Sequence, residues 1–404
     1  MKSRILFVDD EVRVLQGLQR MLRPLRDEWE MEFVESGPQA LEVMDARPVE
    51  VVVSDMRMPG MTGADLLEIV KARHPDVVRL ILSGQSSEEA VLKSVGPAHQ
   101  FLAKPCDANL LKATIRRACG LRDLLADPKM VRLVSQVGRL PSPPDLYVRL
   151  VGELRSANPS LRRVAEIVAS DVGMTAKVLQ MVNSAFFGFR RHISEPQHAV
   201  SLLGLTIITS LVLSVQVFTQ YDGAKIRAVH LAGLMDHSLA VATLARAIAD
   251  AERQPQGMLD NALIAGLLHD AGKLVLAVRL HTEYRRVVES CAAAGGHVWE
   301  AERAAFGSAH AEIGAYLLGL WALPHAIVEA VAYHHIPRAC AHTGFAALTA
   351  VHVADTLVHD AEHPGRSDVD MPYLAAVGLT DRLPAWRALG TSRVLAAAGG
   401  WAAH

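Results

Sequence analysis

Two patterns of apolar and polar positions divide the chain near residue 125. Up to that point short apolar runs alternate with amphipathic stretches. Ile5-Leu6-Phe7-Val8 is followed by apolar residues at Val12, Leu15, Leu18 and Leu22, and further runs occur at Val51-Val52-Val53, Leu80-Ile81-Leu82 and Phe101-Leu102. Short continuous runs read as buried strands, and the three- and four-residue spacings as helices between them. The pattern predicts an α/β fold, a doubly wound parallel sheet with helices on both faces. Ligands bind beyond the carboxyl ends of such strands, and the polar residues there are Asp9, Asp10, Asp55, Ser83 and Lys104.

Beyond residue 130 strand signals fade, and Ala and Leu recur at helical spacing. Asn158-Pro159-Ser160, Ser194-Glu195-Pro196 and Asp260 read as helix starts, so this part is predicted to be one all-helical domain. From Ala199 to Gln220 no side chain is charged, and the stretch is long enough to cross a bilayer. Ser201, Gly204, Thr206, Thr209, Ser210, Ser214, Gln216 and Thr219 interrupt it and no cluster of Lys and Arg flanks it, so a buried helix pair is predicted instead. At the junction, Leu111, Ile115, Ala118 and Leu125 fall at helical spacing. That stripe suits either a dimer seam on a signal-transmitting helix or a helix packed on its own domain and ended at Asp127-Pro128.

Composition narrows the function. The 404 residues leave room for two or three domains, and 41 Lys and Arg against 43 Asp and Glu give a formal net charge of −2. That balance argues against nucleic-acid binding through bulk charge, and no separate helix-turn-helix segment remains once both regions are assigned, so direct DNA binding is not expected. Cys106, Cys119, Cys291 and Cys340 are far apart, without metal-knuckle or redox spacing. With no signal-peptide pattern at the start, a reducing cytoplasm without membrane association is the expectation. Histidine is uneven: only His74 and His99 precede residue 125, and sixteen follow. Ordinary usage would place about six there, which directs the search for metal chemistry to the helical part.

Carboxylates gathered at strand ends repel unless a cation lies among them, and Mg²⁺ held by oxygens fits. One carboxylate could then accept a phosphoryl group, with Lys104 pairing to its oxygens and Ser83 hydrogen-bonding one of them. Val8-Asp9-Asp10-Glu11, Ser54-Asp55-Met56-Arg57-Met58-Pro59-Gly60, Ser83-Gly84 and Lys104-Pro105 together resemble the receiver domain of two-component response regulators. The resemblance spans residues 3–122 and implies a five-stranded parallel sheet. It further implies that Asp55 is the phosphoacceptor, that Asp9, Asp10 and Asp55 hold Mg²⁺, and that Ser83 and Phe101 form the switch pair.

The helical part carries His237, His269-Asp270, His310, His334-His335 and Asp355, a mixture of imidazole and carboxylate suited to Fe, Mn or Zn. His269-Asp270 follows an apolar run within Gly266-Leu267-Leu268-His269-Asp270-Ala271-Gly272-Lys273, where a buried carboxylate needs a partner or a metal. The region resembles the HD superfamily of metal-dependent phosphohydrolases and, within it, the HDOD branch of HD-related output domains. The hallmarks are Leu140-Pro141-Ser142-Pro143-Pro144, Asn183 to Gly188, Ala199 to Gly204, Gly266 to Lys273, and Trp321-Ala322-Leu323-Pro324. Carried over, His237, His269, Asp270 and Asp355 make a central metal site, His310, His334 and His335 a second, and Lys273 contacts substrate phosphate. The related branch that hydrolyses cyclic di-GMP has a Gly-Tyr-Pro loop after its paired histidines; here Ile336-Pro337-Arg338 follows. HDOD domains are generally regarded as regulatory modules.

The expected organisation is a receiver domain over 1–122, a linker helix over 123–135 and an HDOD domain over 136–395, with a core over 136–340 and a helical extension over 341–395. The expected function is a response regulator: a histidine kinase or phosphotransfer protein phosphorylates Asp55, and the HDOD domain relays the signal to a downstream protein. The alternative is a phosphorylation-gated phosphohydrolase with a nucleotide ligand such as cyclic di-GMP. A homodimer through the linker helix follows if the stripe there is a seam.

Overall fold

The structure is a computed structural model that describes residues 2–83, 98–104, 106–121, 124–125, 127–137, 141–142, 149–150, 152–154, 156, 158–183, 193–209, 219–220, 233–321, 323–340, 344–362 and 369–390. Five strands, β1 (Ser3–Val8), β2 (Trp29–Val34), β3 (Val51–Asp55), β4 (Val78–Ser83) and β5 (Gln100–Ala103), form one parallel sheet in the order 2-1-3-4-5. The doubly wound sheet expected from the apolar runs is present. Alternation sorts side chains to its two faces. Leu6, Val8, Val52 and Ile81 pack with α2 (Gly37–Ala46) and α3 (Gly63–Arg73), whereas Ile5, Phe7, Val51, Val53, Leu80 and Leu82 pack with α1 (Val12–Leu22) and α4 (Ala108–Leu121). α3 begins at a reciprocal cap in which Thr62 and Asp65 satisfy each other's backbone amides.

The second of these faces does not end with the sheet. Its cluster continues through α5 (Pro128–Ser135) into the helical part, so Leu111, Ile115, Ala118 and Leu125 are buried inside this chain rather than presented as a seam. The described part of α4 runs to Leu121, Leu125 and Asp127 are not helical, and α5 is a separate helix capped by Asp127, whose carboxylate accepts from Lys129 N at 2.8 Å, with Pro128 in its first turn. A single linker helix over 123–135 is therefore not formed, because proline supplies no amide to continue one.

The helical part comprises α6 (Leu161–Ala169), α7 (Val172–Val182), α8 (Pro196–Thr209), α9 (Leu234–Ala251), α10 (Gln256–Leu268), α11 (Ala271–Arg279), α12 (His281–Ala294), α13 (Val298–Phe306), α14 (His310–Leu320), α15 (His325–Tyr333), α16 (Ala347–Glu362) and α17 (Met371–Ala376). Ser160 caps α6, and Pro196 opens α8. α10 starts at Gln256, a turn earlier than the Asp260 cap expected from sequence, because Pro255 already sets the entry. α9, α10 and α16 pack together, as do α14, α11 and α15. Gly266 and Gly272 bring these layers close: a methyl group at Gly266 would lie 2.7 Å from the Ala242 Cα, and one at Gly272 would lie 2.0 Å from the His310 carbonyl oxygen.

One described stretch, Gln256–Arg279, is long and apolar enough to cross a membrane, but most of it is buried within the fold. Of the uncharged stretch Ala199–Gln220, residues 210–218 lie outside the described set, as do the motif positions 140, 143–144, 184–188 and 322.

Candidate functional site

Parallel strands deliver their terminal residues to one edge of the sheet, and β1, β3 and β5 bring Asp9, Asp55 and Lys104 together there. Asp9 and Asp55 are buried, and Asp10 beside them is exposed. The Lys104 ammonium bonds to Asp9 Oδ2 at 2.5 Å and also to Asp55 Oδ1. Burial disfavours the charged amine, but the two carboxylate bonds outweigh it and raise its pKa. Asp9 Oδ1 accepts from Glu11 N at 2.9 Å, and Asp55 Oδ2 accepts from Arg57 N at 2.6 Å, which fixes both carboxylates. Ser83 ends β4 and Phe101 lies in β5, but the side chains of this expected switch pair fall outside the described set. The pocket is an acidic, lysine-bridged site suited to a divalent cation and a phosphoryl group.

The helical part gathers all seven histidine and aspartate residues named from sequence. α9 supplies His237, the junction of α10 and α11 supplies His269 and Asp270, α14 opens with His310, His334 and His335 follow α15, and Asp355 lies on α16. His237 Nε2 is 3.1 Å from Asp355 Oδ1, His310 Nε2 is 3.1 Å from Asp270 Oδ1, and His335 Nε2 is 3.0 Å from His310 Nε2. Three overlapping sets of ligating atoms are close enough to share an ion: His237, His269 and Asp355; His269, Asp270 and His334; and His310, His334 and His335. Lys273 reaches Asp270 Oδ2 at 2.7 Å.

Hydrogen bonds behind the rings set which nitrogen faces inward. His269 Nδ1 bonds to the Gly266 carbonyl at 2.7 Å and His334 Nδ1 to the Val331 carbonyl at 2.8 Å, so each Nδ1–H donates and each Nε2 presents a lone pair to the cluster. His334 Nε2 is buried with no hydrogen-bond partner, and His269 Nε2 stands 3.5 and 3.6 Å from oxygens of Asp270 and Asp355, beyond good hydrogen-bond length. Burial pushes the His334 pKa down to about 3 and that of His335 well below the usual range, which keeps both rings neutral. Burial also works against ionised Asp270 and Asp355, yet the neighbouring Lys273 and histidines overcome it, and both carboxyl groups stay well below their ordinary pKa. Neutral His334 and His335, ionised Asp270 and Asp355, and the inward lone pairs of His269 and His334 form a donor set that fits a transition-metal ion.

Sequence reasoning missed Glu302. It is fully buried on α13, and its Oε2 accepts from His310 N at 2.8 Å and His310 Nδ1 at 2.6 Å. Burial alone would lower the His310 pKa, but Glu302 outweighs it and raises it to about 9. His352 was also unremarked, and both its nitrogens are occupied: Nδ1 bonds to the His334 carbonyl at 2.7 Å and Nε2 accepts from Asp370 N at 3.0 Å. The cluster opens into a cavity of about 720 Å³ whose lining includes Lys273, His297, Trp299 and His359. Trp299 stacks on His335 at 5.7 Å and carries the Arg303 guanidinium 5.2 Å from its ring centre. Neither His297 nor His359 was given a role by the sequence, since an isolated histidine carries no spacing signal.

Comparison with known proteins divides the chain at the same place as its geometry. Residues 5–116 match the response regulator receiver domain, and residues 140–337 match the HDOD domain. Among curated proteins, the hydrogenase transcriptional regulatory protein HoxA of Cupriavidus necator is 34% identical over 128 residues, covering 31% of this chain and 26% of HoxA. The chain thus spans about a quarter of that relative's length. Among solved structures, the signal receiver domain of an HD domain-containing protein from Pseudomonas fluorescens Pf-5 is 30% identical, with 30% of this chain and 96% of that one covered and a TM-score of 0.29. The MmoQ response regulator from Methylococcus capsulatus str. Bath is 20% identical, with 62% and 98% covered and a TM-score of 0.49.

Proposed function

We propose that this chain, which belongs to the response regulators and joins a receiver domain to an HDOD domain, accepts a phosphoryl group on Asp55 and relays that event through its helical domain to a downstream protein. The supporting observation is the Lys104 ammonium held between Asp9 and Asp55 at one sheet edge. Asp9, Asp10 and Asp55 would hold Mg²⁺, which would supply positive charge to the transferring phosphoryl group. The donor is a histidine kinase or phosphotransfer protein, and the reaction takes place in the cytoplasm. Acetyl phosphate in the presence of Mg²⁺ is expected to label the native protein and not Asp55→Ala; equal labelling of both would overturn the assignment.

The histidine cluster is read as a metal centre. The unpartnered His334 Nε2, buried among inward-facing ligating atoms, supports it. His237, His269, Asp270 and Asp355 would hold one ion and His310, His334 and His335 a second, with Fe, Mn or Zn suited to the set. Native protein is expected to carry one or two such ions per chain, lost in Asp270→Ala.

A second reading, a metal-dependent phosphohydrolase, draws on Lys273 and the cavity of about 720 Å³ beside the cluster. A bound metal supplies an activated water and offsets charge on a phosphoester. Lys273 holds Asp270 in place and offers its ammonium to a phosphate at the cavity wall. Trp299, with the Arg303 guanidinium over its ring, borders the space where a nucleotide such as cyclic di-GMP would lie. Failure of metal-loaded protein to hydrolyse a panel of cyclic dinucleotides and nucleotides would dismiss this reading and leave the signalling one intact.

A further inference from the structure

Helix α14 touches both ends of the molecule's chemistry. Its first residue is His310, whose ring lies 3.1 Å from Asp270 and 3.0 Å from His335. The amide at that end donates to Glu302. Near its other end the Gly319 carbonyl accepts from Gln100 Nε2 at 3.1 Å, and Tyr316 OH shares a hydrogen bond with Ser135 Oγ at 3.0 Å. The last carbonyls of a helix have no partner within it, so a receiver side chain completes a helix whose opposite end belongs to the histidine cluster.

Gln100 opens β5, and β5 runs directly to Lys104, the residue that bridges Asp9 and Asp55. A strand of this length spans about 13 Å and a helix of the length of α14 about 16 Å. Two regular elements joined by a buried hydrogen bond therefore connect the phosphoacceptor pocket to the cluster. The joint has little slack. Gln100, Ser135 and Tyr316 are all buried, and a polar group left unpaired there costs about 1–3 kcal/mol. At the cluster end, the close approach of Gly272 to the His310 carbonyl ties α14 to the helix that follows Asp270.

We propose that the histidine cluster is a second input to the receiver: occupation of the cluster by a divalent metal changes the readiness of Asp55 to carry a phosphoryl group, and phosphorylation changes the metal affinity of the cluster by the same factor. This rests on the reading of the cluster as a metal centre. A phosphoryl group on Asp55 replaces the carboxylate that Lys104 now bonds, which biases the end of β5. Ligation of His310 together with His334 and His335 biases the start of α14, and Asp270, 3.1 Å from His310 Nε2, links the neighbouring ligand set to the same residue. Linked equilibria require the effect to be reciprocal.

The test uses the full chain at saturating Mg²⁺, which keeps the oxygen-lined receiver pocket filled, with Zn²⁺ as the probe for the imidazole-rich cluster. Zn²⁺ affinity is measured by competition with a chromogenic chelator, with and without beryllofluoride as the phosphoryl mimic on Asp55. The expected result is a shift in Zn²⁺ dissociation constant on the order of tenfold, with an equal shift in the beryllofluoride midpoint when Zn²⁺ is added. Tyr316→Phe and Gln100→Ala should still bind both ligands but show a smaller shift, and Asp270→Ala should bind beryllofluoride with no response to Zn²⁺. Tight Zn²⁺ binding that is identical with and without beryllofluoride would overturn the coupling while leaving the metal centre standing. Zn²⁺ binding no greater than that of Asp270→Ala would remove the metal centre and the coupling with it.

Discussion

The lysine-bridged pocket at the sheet edge and the histidine cluster solve the problem of crowded ionisable groups in opposite ways. At the sheet edge the chain brings its own cation: Lys104 lies between Asp9 and Asp55, and exposed Asp10 keeps the pocket open to water. Such a pocket holds together before any ligand arrives, because its own lysine offsets the carboxylates. In the helical domain Lys273 neutralises only one side of Asp270, and around it Asp355 and a group of imidazoles gather, with the Nε2 lone pairs of His269 and His334 turned inward under burial. The first site is completed by its own chain. The second has ligating atoms that the chain leaves unsatisfied, His334 Nε2 among them.

The contrast can be broken most severely at Gly272, where Gly272→Ala drives a methyl group into the His310 backbone. A loss of about 4 kcal/mol is expected in urea unfolding, together with metal content, while the sheet-edge pocket continues to accept acetyl phosphate. Arg79→Ala attacks the boundary between the two regions instead. The buried guanidinium donates to Ser135 O at 2.8 Å and Val77 O at 3.1 Å, so its removal takes a donor from each carbonyl, leaves Ser135 O with its His99 contact alone, and should cost about 2 kcal/mol by the same measurement.

Glu302→Gln sharpens the comparison inside the cluster. It keeps the shape of the side chain but removes the charge behind His310, and metal affinity should fall about 10–100-fold in chelator competition. Mg²⁺ binding at the sheet edge should not change.

The smallest effect is a pH dependence at the boundary. Burial, reinforced by Arg79, Lys71 and Lys177, holds the His99 pKa well below its ordinary value despite a hydrogen bond to the Ser135 carbonyl. Folded His99 therefore stays neutral where the unfolded chain would take up a proton. Its stabilising contribution is complete above the unfolded pKa of about 6.5 and declines as pH falls below it, by about 1 kcal/mol between pH 6.5 and 5.5. His99→Gln should flatten that part of the stability profile, as urea midpoints across the range would reveal.

Legibility followed the kind of partner each residue has. Asp9, Asp55 and Lys104 could be read because strand ends in a parallel sheet share one edge, so their order along the chain predicts their meeting. The seven cluster residues could be read because histidine is overrepresented and His269-Asp270 interrupts an apolar run. Glu302 could not: it sits two residues from exposed Glu300 on an amphipathic helix, and only packing buries one and leaves the other in water. The Arg79 and Gln100 contacts were equally invisible, since their partners are the backbone carbonyls of Ser135 and Gly319, which every residue type carries. The stripe through Leu111, Ile115, Ala118 and Leu125 announced a buried face without saying which surface would cover it.

Residue order alone determined the alternation of strands and helices, the sheet-edge carboxylates with their lysine, and the set of ligand types in the helical domain. These follow from local periodicity and side-chain chemistry, which do not depend on distant contacts. Tertiary structure decided which imidazole nitrogens turn inward, that Glu302 stands behind His310, and that α14 is closed by a receiver side chain. Each of those outcomes depends on burial and on backbone groups brought together from far apart in the chain, where a hydrogen bond left unmade is costly and the sequence carries no mark of its partner.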